Sequence, residues 1–89
     1  MKNYSVEYTK QALKALEKLE TDIKEKIIEW IETNLQGCEN PRLYGKALQG
    51  QLKGKWRYRV GDYRVVARIE DDKVLIMILD ADHRRQIYR

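Results

Sequence analysis

The stretch Trp56-Arg57-Tyr58-Arg59-Val60-Gly61-Asp62-Tyr63-Arg64-Val65-Val66-Ala67-Arg68-Ile69 decides the reading of this chain. Apolar and basic residues alternate up to a Gly-Asp pair. Side chains of a strand point to opposite faces in turn, so period two predicts strands. Glycine at the first central position of a two-residue loop suits a type II′ turn, which joins strands into a hairpin. Val60 then faces Tyr63. Working outward, Arg59 opposes Arg64, Tyr58 opposes Val65, Arg57 opposes Val66, Trp56 opposes Ala67, and Lys55 opposes Arg68. Directly opposed residues share a face. Trp56, Tyr58, Val60, Tyr63, Val65, Ala67 and Ile69 form the apolar set. Lys55, Arg57, Arg59, Arg64 and Arg68 take the other face, with no acid among them until Glu70.

Downstream, Asp71-Asp72 reads as a turn into the apolar run Lys73 to Ala81, the third strand of an antiparallel meander. A regular register through that turn sets Leu75 opposite Arg68, Met77 opposite Val66 and Leu79 opposite Arg64, an apolar floor beside the cations. The apolar run stops near Asp82. A polar tail with His83, Arg84, Arg85 and Tyr88 leaves the sheet close to Arg59 and Arg64.

Upstream, residues 4–8 alternate, with Tyr4, Val6 and Tyr8 on one face of a short strand. Thr9 is a suitable N-cap for a helix over 10–19 carrying Ala12, Leu13, Leu16 and Leu19. Asp22 with Glu25 reads as a capping-box variant opening a second helix over 22–35, whose stripe is Ile23, Ile27, Trp30, Ile31 and Leu35. So short a turn between them predicts an antiparallel helical hairpin. Asn40-Pro41, Gly45, Gly50 and Gly54 mark a connector, with Leu43 to Leu48 anchoring it on the core. The expected architecture is α+β: an N-terminal strand, a helical hairpin, then a three-stranded antiparallel meander completing a small sheet.

Length bounds the rest. Residues 1–89 make one domain, and 43% hydrophobic content supplies one small core. No apolar run approaches the roughly 18 residues of a membrane span. The first residues, Met1 to Ser5, lack an apolar signal core, and Cys38 is the single cysteine, so a cytoplasmic location is expected. Neither a CxxC pair nor a His/Cys ligand set is present, so neither a metal nor another cofactor is expected.

Charge divides along the chain. Residues 1–40 hold six Lys and eight acids, whereas 41–89 hold four Lys, eight Arg and six acids. Arginine is the planar fork that grips phosphate in two places. Arg59 facing Arg64 destabilises a sheet unless an anion sits between them. The pair therefore points to phosphate, with Lys55, Arg57, Arg68 and Arg85 as further phosphate-binding candidates. The alternative is a solvated basic face. His83 adds a side chain that exchanges protons near neutral pH, and Tyr88 one that stacks on a base.

Three segments together resemble the RelE/ParE superfamily of toxins from type II toxin–antitoxin modules: Gly45-Lys46-Ala47-Leu48, Trp56 to Val65, and His83-Arg84-Arg85-Gln86-Ile87-Tyr88. The resemblance runs over nearly the whole chain and is closest to the RelE-like branch. It implies a βααβββ toxin fold and a ribosome-dependent endoribonuclease, an mRNA interferase that cuts mRNA in the A site. The implied chemistry is metal-free: the RNA 2′-hydroxyl attacks the adjacent phosphate. By the same resemblance Arg59, Arg64, His83, Arg84 and Tyr88 are the catalytic candidates. The implied partners are an acidic, partly disordered antitoxin, the ribosome with its mRNA, and operator DNA through the antitoxin complex. The chain departs from members that carry Lys at the positions of Arg57 and Arg59. Two alternatives share the fold or the charge: a ParE-like inhibitor of DNA gyrase and a non-catalytic nucleic-acid-binding module.

Overall fold

The computed structural model describes residues 3–83. Seven elements follow in chain order: β1 (Ser5–Tyr8), α1 (Lys10–Glu17), α2 (Thr21–Asn34), β2 (Lys46–Ala47), β3 (Trp56–Val60), β4 (Tyr63–Glu70) and β5 (Leu75–His83). The strands form one mixed sheet in the order β1-β5-β4-β3-β2. β1 runs parallel to β5, and the other neighbours are antiparallel. The architecture is the expected α+β fold, with one strand added. β2 falls in the stretch read as a connector, where two residues are too short to show a period.

Both helices begin for local reasons. Thr9 is extended, and its hydroxyl accepts the amide N–H of Ala12 at 3.0 Å. That satisfies one of the free donors at a helix start. α2 starts one residue earlier than the capping-box reading allows. Glu20 occupies the cap position without a side-chain hydrogen bond, and Asp22 sits inside the first turn, where its charge suits the helix dipole. Leu13, expected on the buried stripe of α1, is 49% exposed. Ala12 and Leu16, four residues apart, form the seam instead.

The helices cover one face of the sheet. Ala12, Leu16, Ile27, Ile31 and Leu35 pack there with Tyr58, Val65, Ala67, Ile76 and Ile78. A connector closes this layer from the side. Tyr58, fully buried, donates its hydroxyl to the carbonyl of Pro41 at 2.6 Å. Arg42 grips Asp71 through two bonds of 3.0 and 2.9 Å, and the Tyr4 hydroxyl donates to the same carboxylate at 2.7 Å. The outer edge of β1 is covered in part: Gly37 donates to Tyr4, Tyr4 to Cys38, and the Val6 amide to the Gln36 side chain.

The β3–β4 register agrees pair for pair with the sequence expectation from Trp56↔Ala67 to Val60↔Tyr63. Gly61 has φ +60°, and Asp62 is not in the positive-φ region. This combination is the type II′ geometry.

The β4–β5 register departs from expectation. The ladder reaches Glu70↔Leu75, because a tight helical turn at Asp71–Lys73, followed by Val74 in the left-handed region, reverses the chain at once. Arg68 therefore faces Met77, not Leu75. A β-bulge at Val66/Ala67 then leaves Leu79 without an opposite residue. One extra residue reverses which side chains point to which face. Beyond the bulge Asp80 faces Val66, Asp82 faces Arg64, and His83 faces Tyr63.

Candidate nucleic-acid interface

The face away from the helices carries the cations. Arg57 and Arg59 project from β3, Arg64 and Arg68 from β4, and Lys55 stands just before β3. Lys46 on β2 pairs with Arg57 and extends the row. The row sits where it does because alternate positions of both strands are apolar and bury against the helices.

Acids stand beside the row: Glu70, where the sequence already ended the acid-free stretch, and Asp82, which β5 adds. An Arg64 terminal nitrogen lies 3.8 Å from the Asp82 carboxylate, and Arg68 lies 3.4 Å from Glu70. The bulge delivers Asp82, a consequence invisible to a regular register. Burial and the like charge of Asp80 raise the Asp82 pKa, against the pull of Arg64.

The Arg64 side chain is only 14% exposed, and its Nε is buried without a hydrogen-bond partner among the described residues. A guanidinium presents five N–H donors, and one contact at 3.8 Å satisfies few of them. Arg59, directly opposite, is exposed and has no acidic partner among the described residues. Two forks on neighbouring strands, one under-satisfied and one open, fit an anion with several acceptor oxygens. Between Arg64, Arg68, Lys55, Val66, Leu79 and Asp80 lies a depression of about 340 Å³, in which three cations outnumber one acid. Its floor is apolar at Val66 and Leu79, as the sequence anticipated in kind. Leu79 arrives there as the bulged residue.

His83 does not join this row. Its ring packs edge-on against Tyr63, centroids 4.9 Å apart, on the face that carries α1. There it lines a cavity of about 620 Å³ with Lys14, Lys18 and Leu19. Arg84, Arg85 and Tyr88 lie outside the described residues. Of the nine candidate site residues, the structure thus gathers Lys55, Arg57, Arg59, Arg64 and Arg68 on one face and turns His83 to the other. Sequence reasoning missed Asp82 and Lys46. The alternation around residues 55–69 extends no signal as far as either.

Residues 6–88 match the family model described as the ParE toxin of the type II toxin–antitoxin system parDE. The chain belongs to the RelE/ParE superfamily of type II toxin–antitoxin toxins. Among curated relatives, it is 36% identical over 86 residues to Toxin RelG of Mycobacterium tuberculosis, covering 97% of each chain. It is 34% identical to Toxin RelE of the same organism, covering 97% of this chain and 87% of that one. The RelBE2 toxin–antitoxin complex of M. tuberculosis superposes with a TM-score of 0.83 at 34% identity, over 92% of this chain and 99% of that one. The isolated E. coli RelE toxin shares the fold, with a TM-score of 0.70 at 23% identity, over 90% and 83% of the two chains. The five-stranded sheet with two helices is thus the RelE-like toxin fold.

Proposed function

We infer that this toxin is a ribosome-dependent endoribonuclease that cleaves mRNA in the A site. What carries the reading is Arg59 set opposite Arg64, with the Arg64 guanidinium under-satisfied at the floor of an open basic face. Relatives named RelG and RelE support the same branch. The chemistry proposed is attack of an RNA 2′-hydroxyl on the adjacent phosphorus. The O2′–P bond forms, the P–O5′ bond breaks, one proton leaves O2′ and another reaches O5′. Arg59 and Arg64 carry the growing charge on the phosphorane, and preorganised charge aimed at developing charge is usually the largest single contribution to lowering such a barrier. Arg57, Arg68 and Lys55 hold neighbouring phosphates, together with Arg84 and Arg85, and Tyr88 stacks on the substrate.

Proton transfer belongs to the end of β5, where two groups stand. Asp82 faces Arg64, whereas His83 follows it on the opposite face. Asp82→Asn and His83→Gln separate them. The true proton carrier is the one whose loss slows single-turnover cleavage by about 10²-fold or more. The partners proposed are a cognate acidic antitoxin, as in the toxin–antitoxin complexes of its structural relatives, then the ribosome and mRNA, with operator DNA reached through the antitoxin complex.

The decisive experiment is induced expression followed by primer extension on a translated mRNA. Cuts inside the reading frame are expected, lost with Arg64→Ala and with blocked translation. Intact mRNA with arrested growth transfers the assignment to gyrase inhibition, the activity of the ParE-like alternative.

A further inference from the structure

At the β2 edge of the sheet, a recess of about 380 Å³ opens between Trp30, Tyr44, Gly45, Lys46, Arg57 and Arg59. Its composition is unlike the rest of the surface. Two aromatic rings meet three cations, and no acidic residue lines it. Tyr44 is 41% exposed, and its ring stands edge-on to Trp30 at 5.7 Å and 73°. Trp30 leans in turn on the fully buried Tyr58, also at 5.7 Å.

The recess is held in shape. The Trp56 indole Nε1 donates to the Tyr44 carbonyl at 2.7 Å. Gly45 has φ +82°, and the space a Cβ would need is occupied by the Arg57 carbonyl and the Trp56 indole nitrogen. Only glycine permits that approach. The backbone at the Tyr44 carbonyl and Gly45 is therefore held against β3, although the Tyr44 ring stays open to solvent. Rings that stay put cost little entropy on binding.

We propose that this recess is a nucleobase-binding subsite of the toxin, in which a base of single-stranded RNA stacks on Tyr44 while Lys46, Arg57 and Arg59 hold the flanking phosphates. The inference rests on the RNA-cleaving reading and extends it. The three cations call for an anionic ligand, and the open ring calls for a flat one. Single-stranded RNA supplies both at each residue. Arg59 belongs to both regions, since it faces Arg64 across the hairpin and lines the recess on its other side. A strand lying along Arg64 and Arg59 thus delivers a neighbouring base to Tyr44, which lines the same recess as Arg59. The subsite then reads a nucleotide beside the scissile phosphate and contributes to the choice of cleavage position.

The test measures binding of a short 2′-O-methyl oligoadenylate to the full chain, beside the same backbone with its bases removed. Wild type should prefer the base-bearing strand. Tyr44→Ala should weaken that strand by about five- to 150-fold, the range of one base–aromatic stack, and leave the abasic strand unaffected. Tyr44→Phe should restore binding, and Arg59→Ala should weaken both strands. In translated mRNA, Tyr44→Ala should redistribute the cut positions. Equal wild-type affinity for the two strands, or unchanged binding by a folded Tyr44→Ala, overturns the subsite. So does a wild-type chain that binds neither strand. A recess that instead takes an acidic peptide and ignores both strands is a protein-docking site, and the proposal fails. In-frame cleavage with Tyr44-independent binding removes the subsite alone. Base-dependent binding without in-frame cleavage removes the nuclease reading and leaves the subsite.

Discussion

Tyr58 faces two demands at once. Its ring fills the core at full burial, and its hydroxyl must find a partner there, which is the Pro41 carbonyl at 2.6 Å. Removing one partner of a buried hydrogen bond leaves the other unsatisfied, at a cost of about 1–3 kcal/mol. Tyr58→Phe is therefore expected to lower the urea midpoint by a free energy in that range, with an unchanged m-value. An unchanged midpoint would show that Pro41 finds another donor. The alternation around Tyr58 made its inward direction legible in the sequence. Its partner was not, because Pro41 lies 17 positions away in an irregular connector. The same division holds for the cations: Arg59 opposite Arg64 is a matter of counting from one turn, whereas Asp82 reaches Arg64 only through a distant bulge.

Elements extend that contrast. β3 and β4 are joined by a two-residue loop, so the turn dictates their register. β4 and β5 are also consecutive, but their register depends on where the turn closes and where the ladder slips. The bulge at Val66/Ala67 moves Asp80 and Asp82 onto the arginine face and His83 away from it. Neither event has a local signature in the residues. β2 is short, two pairs long, and the close backbone approach at Gly45 adjoins it. Gly45→Ala adds a Cβ into the Arg57 carbonyl at φ +82°, so β2 must separate from β3 or twist. The expected result is destabilisation beyond about 1 kcal/mol. Faster hydrogen exchange should appear at the Trp56 indole N–H, which is bonded to Tyr44. Wild-type exchange at that proton would mean the strand pair tolerates the methyl group.

The whole molecule is a sheet with one face buried under helices and the other left to charge. Burial on the helix face holds tyrosines in their neutral form. The pKa of Tyr8 is pushed up to about 12 by burial, with a smaller contribution from Glu32, and burial raises Tyr58 as well. In the unfolded chain both titrate near 10. Between those values the folded state binds more protons than the unfolded one, so stability falls as pH rises. The contribution is complete below pH about 10 and is lost progressively as pH climbs through about 12. Tyrosinate absorbance in native protein should then lag that of urea-unfolded protein, with unfolding following the rise. Coincident titration curves would deny that burial controls these hydroxyls.

By themselves, the residues determined the α+β order, the capped first helix, the β3–β4 hairpin and the basic row, since each depends on periodicity or turn chemistry within a short span. The toxin superfamily was legible for the same reason: its motifs are runs of adjacent residues. Tertiary structure alone decided the rest. It chose the bulge that sets Asp82 against Arg64, turned His83 to Tyr63, and gathered Trp30, Tyr44 and Lys46 beside Arg57 and Arg59. Those placements minimise the exposure of a shared core, a quantity that no local window of sequence contains.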